Sequence, residues 1–359
     1  MSMSFRMELN LDKKSNMKFP IIIGASVILF TIFLLYVVIM TGVQIPDKSE
    51  GHYILTIPMG ASLSQVADSL VFLGIAESKR EVIRSGKMLG VQRMIKTGKY
   101  RLKAGSSLYD VFNLITSGEV EPVVITILEG WNSRKIAEEL RKEFKIDIQR
   151  FDSLLSDSVF IAKLGIDATD LEGYLFPETY HFTYGMSEKM MIGWMVRQFR
   201  DKFGSEERKR ADEMSMTMNE VITLASIIEG ESVHDEERPV VSSVYHNRLK
   251  KNMRLQADPT IQFLLPDGPR RLSNQDLFIK SPYNTYRHSG LPPGPIGSPG
   301  LASIRAALWP AETEYIYFVA TGDGYHTFTS TLEDHNRAKQ KLQKLRREYD
   351  KQLRNDKVD

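Results

Sequence analysis

Hydrophobic residues are unevenly distributed along the chain, and the longest apolar stretch lies near its N-terminus. Residues 19–43 contain no Asp, Glu, Lys or Arg, and about 20 mostly apolar residues are enough for a helix to cross a bilayer. A buried core helix would be shorter and would carry polar interruptions, whereas the apolar part of a cleaved signal peptide spans about 7–15 residues. The pattern therefore predicts a single transmembrane helix over residues 19–43.

The charges before this stretch predict its orientation. Residues 1–18 carry four basic and two acidic side chains, and an excess of Lys and Arg keeps such a segment in the cytoplasm. We therefore expect a cytoplasmic N-terminus at residues 1–18 and a single pass through the cell (inner) membrane. The rest of the chain is then expected on the extracytoplasmic, or periplasmic, side.

The region after the apolar stretch contains a repeated pattern of strand, glycine turn and amphipathic helix. The pattern begins at Ile54, Tyr100 and Val124, and each turn carries a Ser or Asn that suits the first position of a helix. Gln65 follows Ser62 by three residues, which is the spacing of a capping box. These local signals predict that each of the three repeats contains one strand followed by one helix.

One further helix is predicted between the first two repeats, over residues 77–88. Residues 53–103 then have the order strand–helix–helix–strand, which is similar to that of small LysM-type glycan-binding modules. A LysM-like domain over residues 50–120 is one interpretation of this order, and a generic α+β packing unit is the other.

Beyond residue 120, helical stretches alternate with Gly- and Pro-rich turns, without regular βαβ spacing. This pattern predicts a larger mixed α+β domain over residues 121–345, followed by a charged helix end over residues 346–359. Within the domain, Thr217 and Glu220 form a capping box before a helix whose apolar residues cover nearly every face. The fold class is therefore α+β.

The composition excludes several kinds of chemistry. The 47 Lys and Arg residues nearly balance the 45 Asp and Glu residues, and the formal net charge of +2 argues against a nucleic-acid-binding protein. The absence of cysteine removes thiol nucleophiles, Cys-ligated zinc and iron–sulfur clusters. No H-E-x-x-H motif, no pair of histidines four residues apart and no G-x-S-x-G motif is present. We therefore expect neither a metal nor another cofactor.

The segment from Gly290 to Gly300 contains four glycines and four prolines. Prolines lack the N–H donors that a phosphate-binding loop uses. The segment is better interpreted as a stiff, extended wall beside a cleft.

One carboxylate has an unusual position in the pattern. Glu229 ends an almost wholly apolar helical run, where burial and the negative end of the helix would both favour a protonated carboxyl group. Such a group is suited to donate a proton to a glycosidic oxygen. The alternative is a glutamate that turns towards solvent at the end of the helix.

Seven motifs occur in an order that is similar to that of the endolytic murein transglycosylases, the YceG-like family. They are Leu171–Tyr180, Ala225–Glu231, Val244–Leu249, Leu255–Thr260, Ser281–Tyr286, Gly290–Pro295 and Tyr317–Phe328. The resemblance implies a membrane-anchored enzyme that cuts peptidoglycan glycan strands internally and so limits their length. It also implies cleavage between N-acetylmuramic acid and N-acetylglucosamine, which leaves a 1,6-anhydromuramoyl end.

The resemblance places the catalytic acid at Glu229, which would protonate the bridging oxygen and then take the proton of the C6 hydroxyl. Gly230 and Ser232 stand where family members often have Lys and Thr, so the role of Glu231 stays open. The polar and aromatic residues of the matching motifs are expected to line the sugar groove or to hold its loops. They are Asn247, Gln256, Asp258, Tyr283, Asn284 and Tyr286.

Two rival functions remain open from the residues themselves. A muramidase would use water and leave reducing ends, and a non-catalytic scaffold would bind the wall without cutting it. The expected partners are peptidoglycan glycan strands and the membrane, and the resemblance adds proximity to peptidoglycan synthases.

Overall fold

The computed structural model describes residues 18–41, 52–266 and 268–355, with side chains described for 22–34, 36, 52–266 and 268–344. Helix α1 runs from Lys18 to Thr41. Among the described residues, no helix has the length and apolarity of a membrane span. The predicted span over residues 19–43 and the predicted tail over 346–359 lie partly outside the described residues, and the predicted cytoplasmic segment lies almost wholly outside them.

The chain forms two compact units. The first unit ends at Pro122 and also takes in Thr183–Gly185, and the second comprises Val123–Phe182 and Met186–Asp359. Each unit has its own hydrophobic core.

The first unit has the predicted order strand–helix–helix–strand, followed by one more helix. The two strands pair antiparallel, with Tyr53 opposite Leu102 and Leu55 opposite Tyr100, and all four side chains are buried. The predicted capping box at Ser62 is present, since its hydroxyl accepts the N–H of Gln65. The elements are β1 (His52–Ile57), α2 (Leu63–Phe72), α3 (Lys79–Met88), β2 (Gly98–Lys103) and α4 (Leu108–Ser117).

The second unit is mainly helical, with two small sheets, β3–β4 and the antiparallel hairpin β5–β6. Its first half contains β3 (Pro122–Thr126), α5 (Ser133–Phe144), α6 (Ile148–Leu155), α7 (Ser158–Lys163), β4 (Thr179–Thr183), α8 (Glu188–Lys202) and α9 (Ser205–Glu213). Its second half contains α10 (Met218–Glu231), α11 (Arg238–Lys250), α12 (Asp258–Gln262), α13 (Leu301–Leu308), β5 (Tyr317–Ala320), β6 (His326–Thr329) and α14 (Leu332–Asn355).

Helix α10 lies at the centre of the second unit and packs against α11, α12 and α13. Every side chain from Val221 to Ile228 is buried, which explains why its apolar residues cover all faces rather than one stripe. The predicted capping box is present: the Thr217 hydroxyl accepts the N–H of Glu220, and the Glu220 carboxylate accepts the N–H of Thr217. The cap fixes the first residue of the helix, and the last turn of the helix contains Glu229 and Glu231.

The aromatic segment Leu171–Tyr180 contains a turn at Glu172 and Gly173 and, at its end, the first two residues of β4. Gly173 has a positive φ of 83°, which is incompatible with a strand, and Pro177 removes a backbone donor.

Candidate active site

Glu229 lies in the last turn of α10, and its side chain is only 7% exposed. Its Oε1 is 3.0 Å from Nη1 of Arg238, and its Oε2 accepts the backbone N–H of Gly300 at 2.9 Å. A buried cation and a backbone donor therefore stabilise the negative charge of this carboxylate. The apolar pattern before Glu229 in the sequence does not indicate either of these partners.

Arg238 begins helix α11 and is itself buried, with a side chain 6% exposed. Besides Glu229, it donates from Nη1 to the Ser303 hydroxyl at 2.6 Å and from Nε to the Asp235 carboxylate at 2.9 Å. Three oxygen acceptors thus fix the guanidinium. Arg238 was missed by the sequence reasoning, because nothing in the pattern shows that the turn after α10 brings it back to Glu229.

The loop before α5 and the end of the Gly- and Pro-rich segment form a short backbone ladder beside Glu229. The Gly130 N–H donates to the Ser298 carbonyl, and the Ser298 N–H donates to the Trp131 carbonyl, both at 2.8 Å. A Cβ at Gly297 would lie 2.8 Å from the Gly130 carbonyl oxygen, so this approach requires glycine at position 297.

A second carboxyl group, that of Glu129, lies against Gly300 in the same ladder. A Cβ at Gly300 would collide with this carboxyl group. Glu129 is exposed as a residue, yet partial burial of its carboxyl raises its pKa, the charge of Glu229 adds to the effect, and Arg238 opposes it. The sequence reasoning also missed Glu129, which precedes a turn glycine and looks like an ordinary loop residue.

A cavity of about 670 Å³ adjoins this centre and is bordered by Gly130 and Gly230, the neighbours of the two carboxylates in the chain. Ile296 and Gly297 form part of its lining, which agrees with the prediction that residues 290–300 form a wall beside a cleft. Other lining side chains are Trp131, Arg134, Lys135, Glu231, Asp258 and Phe263. The cavity therefore offers aromatic, acidic and basic groups to a polar ligand.

Glu231 faces this cavity, and its carboxylate accepts the Tyr245 hydroxyl at 2.8 Å. Burial raises the pKa of Glu231 to about 7, and Asp258 adds to the shift, whereas the Tyr245 hydrogen bond and the positive charge of Arg248 lower it. Unlike Glu229, it has no cation among its described hydrogen-bond partners.

Asp258 is the predicted groove residue that lines the cavity, and it accepts a hydrogen bond from the Tyr286 hydroxyl. Tyr283 is half-buried, and its ring packs against Phe263, with ring centres 5.2 Å apart. Gln256 has a positive φ of 51°, and its backbone N–H donates to the Thr285 carbonyl. These four predicted residues belong to the segments around α12.

Asn247 and Asn284 are not among the lining residues of this cavity, and each holds the backbone of a loop. The Asn247 amide donates to the carbonyls of Thr313 and Tyr315 and borders a separate cavity of about 480 Å³. The Asn284 amide is fully buried and donates to two carbonyls of the preceding loop, those of Leu277 and Ile279.

The β5–β6 hairpin supports the loop that carries Arg238. The His326 ring nitrogen Nδ1 lies 2.9 Å from one oxygen of Glu237, and the His326 N–H donates to the other at 3.0 Å. The Tyr325 hydroxyl donates to Glu236, and its ring stacks on His234 at 3.8 Å. The hairpin therefore fixes the residues immediately before Arg238.

The fold and the site together define a mixed α+β protein with a buried carboxylate–arginine pair beside a cavity lined by apolar and charged groups, an arrangement suited to acid–base chemistry. The YceG-like family matches this chain over residues 55–341, and the chain belongs to that family.

Individual relatives agree with this membership. An endolytic murein transglycosylase of Bacillus subtilis is 35% identical over 312 residues, which is 80% of this chain and 84% of the relative. An endolytic murein transglycosylase of Streptococcus pneumoniae is 28% identical, and the match covers 82% of this chain but 59% of that protein. A solved structure of a YceG-like protein from Listeria monocytogenes has a TM-score of 0.58 at 30% identity, covering 80% of this chain and 99% of the other.

Proposed function

We propose that this protein is an endolytic murein transglycosylase, which cuts peptidoglycan glycan strands internally. The observation that carries the proposal is the buried Glu229–Arg238 pair beside a cavity with aromatic and polar lining. The B. subtilis relative, matched over 84% of its length, supports the same activity. The bond cut is that between N-acetylmuramic acid and N-acetylglucosamine, and the product carries a 1,6-anhydromuramoyl end.

Two proton transfers are required for this reaction: one to the bridging oxygen and one from the C6 hydroxyl. Glu229 serves both: it protonates the bridging oxygen as the acid, and the carboxylate that this leaves, which Arg238 and the Gly300 N–H stabilise, takes the proton of the C6 hydroxyl. A carboxylate here also stabilises the positive charge that develops at the muramic C1. The C6 oxygen then closes on C1, and no water is consumed.

The site of action follows from the substrate, because peptidoglycan lies outside the cytoplasm. We further propose that residues 19–43 anchor the chain in the cell membrane with the N-terminus in the cytoplasm. The charge-free stretch supports it. The first unit serves in this scheme as a LysM-like glycan-binding module, and proximity to peptidoglycan synthases stays an expectation of the family resemblance.

The test is muropeptide analysis of peptidoglycan digested with the purified protein. We expect anhydro ends from the wild type and none from Glu229→Gln, which keeps the size of the side chain but removes the group that can carry the proton. Glu139→Gln, which removes a carboxylate on the surface of α5, serves as the matched control and should cleave normally.

Each rival function predicts a different product pattern. Reducing muramic ends would establish a water-using muramidase instead. Glycan binding without any product, in the wild type as in the variant, would establish a non-catalytic scaffold.

A further inference from the structure

We propose that the cavity beside the Glu229 centre binds the peptide attached to muramic acid, and that Arg134 and Lys135 hold a carboxylate of this peptide. The observation that carries the inference is the presence of these two cations in the lining of a cavity that is expected to receive a neutral sugar chain. This assignment rests on the proposed function, and it concerns which part of the substrate the cavity recognises.

The charges of a peptidoglycan strand lie in its peptides. The sugar rings carry hydroxyl and acetamido groups, which are neutral, whereas the short peptide on the lactyl group of muramic acid ends in a carboxylate. Cleavage takes place at C1 of muramic acid, and the lactyl group is attached to C3 of the same ring. A peptide is therefore attached close to the bond that is cut, within reach of a cavity that adjoins the catalytic centre.

Arg134 and Lys135 lie in the first turn of α5 and line the cavity together with Trp131. The Lys135 ammonium is 5.7 Å from the centre of the half-buried Trp131 ring, and both basic residues are exposed. In the part of the chain that the structure describes, neither basic residue forms an ion pair with an acidic side chain. A carboxylate of a ligand can therefore approach both cations without displacing an existing partner.

The position of the two cations within α5 does not favour the helix itself. The N-terminal end of a helix carries a partial positive charge, which disfavours basic side chains in the first turn, and α5 has no acidic residue there. The Glu172 carboxyl group accepts the Ser133 N–H at 3.1 Å and the Ser133 hydroxyl at 2.7 Å, so it binds this end of the helix rather than either cation. A local arrangement that opposes helix stability is expected where a binding site requires it.

The acidic residues that α10 and α12 contribute to the lining differ from the two cations. Glu231 accepts the Tyr245 hydroxyl, and Asp258 accepts the Tyr286 hydroxyl. These carboxyl groups therefore have partners within the protein, whereas the two cations are available to a ligand. We accordingly assign the α5 side of the cavity to the peptide carboxylate.

The test compares soluble glycan strands that carry their peptides with the same strands after an amidase has removed the peptides. We expect the wild type to cleave the peptide-bearing strands with the higher kcat/KM. The double variant Arg134→Gln/Lys135→Gln should reduce the ratio of the two kcat/KM values by roughly 2- to 30-fold, the range for two charge pairs that solvent can reach. The change should lie mainly in KM, because the peptide contact is the same before and during bond cleavage.

The matched control is Arg141→Gln/Lys142→Gln. It removes the same two residue types, in the same order, from the last turn of the same helix, where neither residue belongs to the cavity lining. The control should keep the wild-type ratio, and thermal unfolding shows whether each variant is folded. Raising the salt concentration should lower the wild-type ratio, because it screens charge pairs that solvent can reach.

Equal kcat/KM values of the wild type for the two substrates would overturn the inference. So would a ratio that the double variant leaves unchanged while it slows the cleavage of both substrates, since a merely structural role of Arg134 and Lys135 predicts that result. A control variant that lowers the ratio as much as the double variant would show that the cavity is not the site. If the wild type cleaves neither substrate, the proposed function fails instead, so the two failures are distinguishable.

Discussion

Glu229 and Glu231 are two residues apart in the last turn of α10, and they have contrasting environments. At about 100° per residue, their side chains leave the helix in nearly opposite directions. Glu229 meets the Arg238 guanidinium and a backbone N–H, whereas Glu231 meets the Tyr245 hydroxyl and lies near the carboxylate of Asp258.

The two carboxyl groups differ in the kind of partner that each meets across the fold. Both side chains end the same apolar helix, but one has a buried cation as its partner and the other has a neutral donor. The pKa of Glu231 is accordingly raised to about 7 by burial, while the negative charge of Glu229 has a positive partner at 3.0 Å.

The largest expected effect comes from removing the cation. Arg238→Gln leaves the buried Glu229 carboxylate without its positive partner, and breaking a buried ion pair from one side costs about 3–5 kcal/mol. We expect a loss of stability of that order in denaturant unfolding, together with loss of strand cleavage. Arg337→Gln, which removes an exposed arginine whose acidic partners on α14 are also exposed, is the control and should have little effect on either measurement. Wild-type cleavage by Arg238→Gln would show that the pair is not needed.

A smaller effect is expected from Glu231→Gln, and it depends on pH. The folded pKa of about 7 exceeds the unfolded value of 4.5, so the stability difference is absent below pH 4.5 and grows as pH rises through 7. Glutamine keeps an acceptor for the Tyr245 hydroxyl and carries no charge. The variant should therefore be more stable than the wild type by about 3 kcal/mol at pH 8, and equal to it at pH 4.

Urea unfolding at several pH values measures this difference. Glu172 has a similarly raised pKa of about 7, but it is present in both proteins, so its contribution cancels in the comparison. A constant difference at all pH values would contradict the assigned protonation of Glu231.

The smallest effect is expected from a change at the N-terminal end of α10, away from both carboxylates. Thr217→Ala removes the hydroxyl that caps the helix, which costs about 1 kcal/mol. Stability should fall by that amount without altering its dependence on pH, and Thr217→Ser should restore it. A change in the pH dependence would show that the cap positions Glu231.

The local features of the fold were predictable from the sequence, and the contacts of the site were not. The caps at Ser62 and Thr217 depend on residues three positions apart, so their signal is contained in a short window. Arg238 and Glu129 reach Glu229 only through tertiary packing, and neither has a distinctive local pattern. Their proximity to Glu229 is therefore visible only in the three-dimensional structure.

The predicted groove residues show the same limit. Asp258 lines the cavity, but the Asn284 amide is buried and holds a loop. A polar residue in a motif can line the groove or hold a loop, and the sequence is the same in both cases. Only its position in the folded structure distinguishes the two roles.

The ladder between residues 130–131 and 298 also has a consequence for the order in which the centre forms. Its partners are separated by well over a hundred positions, and contacts between such distant positions form late in folding. A nascent chain that ends before Gly300 lacks the N–H that binds Glu229, as well as Ser303, which binds Arg238. Incomplete chains would therefore be inert, and the capacity to cut the wall would arise only once nearly the whole polypeptide has been synthesised.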